Sequence, residues 1–457
     1  MRHSKPLTVV LKLGTSSIVD ENTHEPLLSI LTLVVETAVQ LRKDGHRVMI
    51  VSSGAIGVGL RRMDVQKRPK GPLSKLQVAL AAIGQCRLMS LWDDLFGHLR
   101  QPIAQILLTR NDIQDRTRYI NAQNTIHELM DLGVIPIVNE NDTLAVAEIK
   151  FGDNDTLSAI TAAMIHADYL FLMTDVDCLY DKNPRSNPDA KAIEVVDDIS
   201  ALQADVSSAG SSLGTGGMST KIVAARLATS AGVTTVITKS STPGNIIQIV
   251  RYCQSLKTPP SSRAASTVGD CADSDEALSR SVSSLHMSDV GSNPPLHTRF
   301  LPSLHPIRDR HFWLLHGLAP HGTIYIDEGA YRALVDKAGL LPVGVVDVEG
   351  SFRHYEAVKL AVVDKRNTPN KEGKMWDGNP VEVGRCLVNY AAPEVARIKG
   401  HRSADIKQLL GYADSEHVAH RNHVCFLTEH SHEAAPRLSR PPSPGNKDHE
   451  SAEVSAR

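Results

Sequence analysis

The sequence predicts an α/β protein in which a mostly parallel sheet is sandwiched by helices and joined to a smaller β-rich domain. Between Leu7 and Val250, short apolar runs rich in β-branched residues alternate with longer helical ones, as strands covered on both faces require. From Tyr252 to Pro295 the composition turns to Ser, Ala, Asp, Thr and Pro, which bury little apolar surface. From Arg308 to about Tyr412 a second set of short strand patterns follows. A chain of 457 residues also exceeds one ordinary hydrophobic core.

In chain order, strands are expected over Leu7–Leu13, Arg47–Ser52, Ile103–Leu108, Val134–Val138, Tyr169–Met173 and Thr234–Thr238. Helices are expected between them, over Leu27–Asp44, Leu73–Leu99, Thr117–Leu132, Thr156–Ala167 and Met218–Ala231. The second unit should hold strands at Phe312–Leu315, Thr323–Ile326, Val343–Asp347, Glu356–Val362 and Arg385–Val388. Its helices are expected at Glu328–Gly339 and Pro393–Leu410, and Asp364–Gly378 reads as a surface loop. The resulting division is a first domain over 1–251, a Ser/Pro-rich linker or insertion over 252–297, a second domain over 298–412 and a disordered tail over 413–457.

Lysine plus arginine (49) nearly balances aspartate plus glutamate (51), so no global field draws the chain to nucleic acid or anionic membrane. The six cysteines are scattered without a C-x-x-C pair, as expected of reduced thiols in a cytoplasmic protein. No apolar run is long enough for a membrane span. The tail carries His417, His420, His423, His430 and His432 without regular spacing or cysteine partners, so no metal site is expected there.

Four strands end in polar or glycine-rich turns: Lys12 into Gly14-Thr15-Ser16-Ser17, Ser52 into Ser53-Gly54-Ala55, Val138 into Asn139-Glu140-Asn141-Asp142, and Met173 into Thr174-Asp175. In an open α/β sheet these carboxyl ends line one crevice, which points to an active site. Neither G-x-x-x-x-G-K-[ST] nor G-x-G-x-x-G occurs, so any phosphate site is built differently. Gly214–Lys221, Gly-Thr-Gly-Gly-Met-Ser-Thr-Lys, precedes an alanine-rich helix; alone it fits a phosphate cradle and a capped loop equally well. Lys12 and Lys221, from separate elements, can clamp a transferring phosphoryl group, with Asp155 between them fixing both heads. One of Asp153, Asn154 and Asp155 should cap the helix that follows.

The segments Lys12–Ser16, Ser53–Ile56, Leu108–Arg110, Asn139–Asp142, Gly152–Asp155, Thr174-Asp175 and Gly214–Lys221 occur in the order and spacing of the glutamate 5-kinase family, within the amino acid kinase superfamily. The later segments Ile326–Ala330, Leu340–Gly344 and Leu409–Tyr412 resemble that family's PUA domain. The resemblance implies an amino acid kinase-like sheet and ATP-dependent phosphorylation of the γ-carboxylate of L-glutamate, the first step of proline biosynthesis. It casts Lys12 and Lys221 as phosphate-stabilising lysines, Asp155 as their organiser, and Ser53, Asp142 and Asn154 as glutamate-binding residues. Gly14, Thr174, Asp175 and Thr215, Gly216, Gly217, Met218, Ser219, Thr220 and Lys221, together with Lys12, would contact ATP. Mg²⁺, feedback inhibition by proline and self-association are implied too; no residue is singled out as a metal ligand. The Tyr252–Pro295 insertion, the Asp364–Gly378 loop and the tail after Tyr412 are longer than the family pattern.

Two rival readings have discriminating features. A kinase acting on aspartate, acetylglutamate, carbamate or a nucleoside monophosphate would share the lysines but not the Asn139–Asp142 and Gly152–Asp155 pair with a PUA-like domain. An RNA-associated protein with a spent kinase domain would need a basic, aromatic-bearing surface, for which only Arg308–Phe312 offers material, so RNA binding is not expected.

Overall fold

The computed structural model describes residues 6–65, 75–144, 153–184, 186–199, 202, 217–257, 294–307, 309–366, 368, 370 and 374–427. Among these, the larger sheet is built from β1 (Thr8–Leu13), β2 (Arg47–Ser52), β3 (Ile103–Leu108), β4 (Ile135–Glu140), β5 (Tyr169–Thr174), β8 (Val195–Val196), β9 (Thr234–Lys239) and β10 (Thr298–Phe300), while β6 (Leu179–Tyr180) and β7 (Ala192–Ile193) form a separate ribbon. The order across the sheet is β3-β4-β2-β1-β5-β9-β10-β8. Every pairing from β3 to β9 is parallel, and β10 runs antiparallel to β9.

Alternation along the strands sorts side chains between two apolar layers. Val9, Leu11 and Leu13 of β1 pack with Ile50, Phe171 and Val236 beneath α1 (Leu28–Lys43), α2 (Ala55–Arg62), α3 (Lys75–His98) and α8 (Asn245–Lys257). Val10, Met49, Leu170 and Ile237 face the other way, beneath α4 (Arg110–Gln114), α5 (Arg116–Asp131), α6 (Asn154–Met164) and α7 (Met218–Ser230). Lys12 has the parity of Val10. It is therefore delivered beneath α6 and α7, and the site follows from that placement.

The core strands match their expected ranges to within two residues. Helix α2 was not expected, because Gly57 and Gly59 weaken its pattern. Packing explains Gly59: a Cβ there would lie 2.1 Å from the Leu80 carbonyl oxygen of α3, and one at Gly84 would lie 1.7 Å from that of Ala55. The two helices touch backbone to backbone. Gly54, at φ 100°, makes the left-handed turn from β2 into α2.

The smaller sheet runs β12 (Val345–Gly350), β11 (Gly322–Ile326), β13 (Ala357–Lys365), β14 (Trp376–Leu387) and β15 (Val424–Phe426). Its core gathers Ile324, Leu360, Val388, Tyr390, Val395 and Ile406. Several expectations are corrected here. Phe312–Leu315 is helical, Asp309–Phe312 running into a wider turn over Trp313–Gly317, because its apolar residues all bury into the junction between the domains. The helix expected over Pro393–Leu410 is broken into Ala392–Ile398 and Ile406–Leu410 around Gly400, which has φ 77°. β14 begins at Trp376, inside the expected Asp364–Gly378 loop.

The boundaries shift as well. Helix α8 continues through Tyr252 to Lys257, and β10, beyond the 258–293 stretch, returns to the larger sheet. β15 and the backbone around His417 join the smaller sheet's domain, past the expected tail boundary at 413. His417, His420 and His423 stack edge to face, and among the described residues no group of three His, Cys, Asp or Glu is placed to hold a metal. His430 and His432 lie outside the described residues, as does the expected linker from 258 to 293.

Candidate active site

β1 carries Lys12 to the carboxyl edge of the sheet, where it is 4% exposed. Helix α6 begins beside it. Asp153 is the N-cap, accepting from the Thr156 N–H at 2.7 Å, and burial raises its pKa. The next turn presents Asp155, fully buried, in the positive field of the helix N-terminus. The Lys12 ammonium pairs with Asp155 Oδ1, and Lys221 Nζ of α7 lies 3.5 Å from Oδ2. Thr220 Oγ1 donates to that same Oδ2 at 2.7 Å. Lys12, Asp155 and Lys221, separated widely in sequence, therefore meet at one point.

The electrostatics of this trio are unusual. Burial alone would raise the Asp155 pKa, but the charges of Lys12 and Lys221 and the hydrogen bonds from Lys12 and Thr220 bring it down to about 2. The Lys221 pKa is lowered, by burial first and by Lys12 second, with Asp155 opposing both. Two ammonium groups share one carboxylate in a water-poor site. Within this trio two ammoniums face one carboxylate, with Asp175 also acting on Lys221, and the surplus charge favours anionic oxygen.

A second cluster lies on the β2–β4 side. Asn154 Nδ2 donates to Ser53 Oγ at 2.8 Å and to Asn139 Oδ1 at 3.0 Å. Asn139 in turn donates to Gln85 of α3 at 2.8 Å. Among the described residues the buried Asn154 Oδ1 has no hydrogen-bond donor, which leaves an acceptor for an incoming ammonium. Asp142 is half-buried in the turn after β4, whose Asn141 N–H is held by the Leu108 carbonyl at 2.9 Å.

On the β5–β9 side, Thr174 closes β5 and donates to Asp175 Oδ1 at 3.0 Å. Gly217 is the N-cap of α7, whose first residues are Met218, Ser219, Thr220 and Lys221. Gly14 follows β1, and a Cβ there would sit 3.7 Å from the Lys12 nitrogen. Thr215 and Gly216 lie outside the described residues. Sequence reasoning missed Asn139 and Gln85 as part of the Asn154 cluster; the strand-end position of Asn139 was the available signal. It also gave Thr220 only a nucleotide contact.

A buried lysine pair around one carboxylate, at the carboxyl edge of a parallel sheet and beside a helix N-terminus, defines a phosphoryl-transferring α/β protein. The chain belongs to the Amino acid kinase family, whose profile matches residues 7–239, and a PUA domain profile matches residues 322–410. It is 51% identical to the probable glutamate 5-kinase of Schizosaccharomyces pombe, over 94% of this chain and 96% of that one. It is 43% identical to the glutamate 5-kinase of Rippkaea orientalis, over 91% of this chain and 98% of that one. A protein of Saccharomyces cerevisiae named only as uncharacterized is 47% identical, over 93% of this chain and 99% of its own length. Among solved structures, the carbamate kinase of Giardia lamblia superposes with a TM-score of 0.40 at 17% identity, over 53% of this chain and 96% of that one. Among the described residues no helix is long and apolar enough to cross a membrane.

Proposed function

We propose that this protein transfers the γ-phosphoryl group of ATP to the γ-carboxylate of L-glutamate, giving L-glutamyl 5-phosphate and ADP, and so supplies proline biosynthesis. The observation that carries the reading is the surplus positive charge of Lys12 and Lys221 around Asp155, buried at the sheet's carboxyl edge. Charge spreads over the equatorial oxygens of a transferring phosphoryl group, and catalysis there is mostly positioning and neutralisation. Lys12 and Lys221 neutralise those oxygens, and Asp155 sets the spacing of the two ammoniums. The attacking carboxylate is already anionic, so no general base is needed.

Ser53, Asp142 and Asn154 hold the amino acid, and Asn154 Oδ1, which has no donor among the described residues, accepts from its ammonium. ATP lies along Gly14, Thr174, Asp175 and residues Thr215, Gly216, Gly217, Met218, Ser219 and Lys221, its phosphates toward the N-terminal N–H groups of α7. With no three-ligand cage among the described residues, Mg²⁺ fits as a cation carried on the nucleotide phosphates and water. Proline is the expected feedback inhibitor at the amino-acid side, and the chain self-associates through its first domain. That domain comprises the larger sheet with β10, and the second is the PUA-like unit through β15.

The test is purified protein with ATP, Mg²⁺, hydroxylamine and each candidate acid. γ-Glutamyl hydroxamate, falling on addition of proline, is expected. Hydroxamate from aspartate or acetylglutamate with none from glutamate overturns the assignment.

A further inference from the structure

We propose that Thr220 is a positioning residue for phosphoryl transfer, acting through the Asp155 carboxylate and not on the nucleotide; this deepens the kinase reading above and rests on it. A threonine hydroxyl has one donor and two acceptor sites. Its hydrogen can reach Asp155 Oδ2 at 2.7 Å or the Gly217 carbonyl at 2.9 Å, and the ionised carboxylate is both nearer and the stronger acceptor. Its oxygen accepts from the Gly217 N–H at 3.0 Å. The donor is thus spent inside the protein before any ligand arrives.

What this bond controls is the rotation of the Asp155 carboxylate. Oδ1 belongs to Lys12, while Oδ2 is held by Thr220 and by the longer 3.5 Å contact with Lys221. Asp155 is fully buried, so no solvent replaces a missing donor. Without the hydroxyl, Oδ2 keeps only the looser lysine contact among the described residues. The carboxylate can then turn and carry both ammonium groups off the line of transfer. The same hydroxyl ties Gly217, the N-cap of α7, to Asp155 on α6, so it also fixes the helix N-terminus relative to Lys12. Ser219, its neighbour, is exposed and makes no such link.

The test compares Thr220→Val, which keeps the shape and removes the hydroxyl, with Thr220→Ser, which keeps the hydroxyl. A misplaced pair of stabilising charges should lower kcat of the Val variant about 10- to 100-fold while KM for ATP and glutamate stays within about threefold. The Ser variant should recover most of kcat. In the substrate-free protein, the acid step in thermal stability should move to higher pH in the Val variant, because a carboxylate that loses a donor is protonated more easily. That readout needs no turnover, so it separates failure of this proposal from failure of the glutamate assignment, which shows instead as an inactive parent protein. Parental kcat in the Val variant overturns the proposal. So does a Ser variant as impaired as Val, or a rise of about tenfold in the dissociation constant of a non-hydrolysable ATP analogue with kcat unchanged.

Discussion

Replacing Asp155 by asparagine tests the site at its centre. The amide keeps the volume but removes the charge that two buried lysines share, with Lys12 4% and Lys221 7% exposed. The shift of the Asp155 pKa from 3.8 to about 2 corresponds to about 2 kcal/mol of stabilisation at neutral pH. Leaving two ammonium groups without their counter-ion adds to that, and breaking buried pairs typically costs about 3–5 kcal/mol in all. For a domain of this size, about 3 kcal/mol lowers Tm by about 6–12 °C. The folded pKa is depressed, so the stabilisation is complete above about pH 4 and is lost as pH falls toward about 2. The gap in Tm between parent and Asp155→Asn should therefore be widest at neutral pH and should close through that acid window. Calorimetry across pH reads the gap, and the hydroxamate assay should show kcat reduced by at least about 100-fold. A Tm within about 2 °C of the parent at neutral pH, together with parental kcat, would refute the claim that this carboxylate organises the lysines.

Further outcomes follow from other features. Lys12→Met and Lys221→Met should each lower kcat by at least about 100-fold in the hydroxamate assay. Gly84→Ala drives a Cβ into the Ala55 carbonyl and should cost about 2–3 kcal/mol by thermal unfolding. Gly97→Ala, in the same helix with open space around it, should be neutral or stabilise by about 0.5–1 kcal/mol. His316 is held neutral by burial, and secondarily by Arg385, with its pKa down to about 4. The unfolded chain takes up that proton first, so stability should fall as pH drops from about 6.5 to about 4, and His316→Gln should flatten the slope of Tm in that window.

Much of this was legible because parallel strands buried on both faces read as near-continuous apolar runs, so β1, β2, β5 and β9 needed no tertiary information. Lys12 and Asp155 were legible for a related reason: their places at a strand end and a helix start put them on one edge by topology. The failures have physical causes as well. Phe312–Leu315 is too short an apolar run to show its period, and its burial is tertiary, with Trp313 donating to the Ile113 carbonyl at 2.8 Å, a partner 200 residues away. The glycines of α2 look like breakers until α3 is laid against them. The Thr220 bond to Asp155 joins two helices across 65 residues, and nothing in local spacing announces it.

The return of β10 to the larger sheet bears on how the chain can be divided. A fragment ending at Lys257 would retain α8 and every strand from β1 to β9, yet it would lose the three residues, Thr298–Phe300, that pair with Thr235–Ile237. The outer edge of β9 would then offer unpaired N–H and C=O groups beside a buried apolar layer, a template for strand addition by another molecule. Such a fragment should scatter light on standing where the full chain stays clear. One ending after Phe300 should not gain that particular edge, although it still uncovers the face against which Trp313 and Leu315 pack. The returning strand β10 thus serves as a guard rail against aggregation for the half of the protein that does the chemistry.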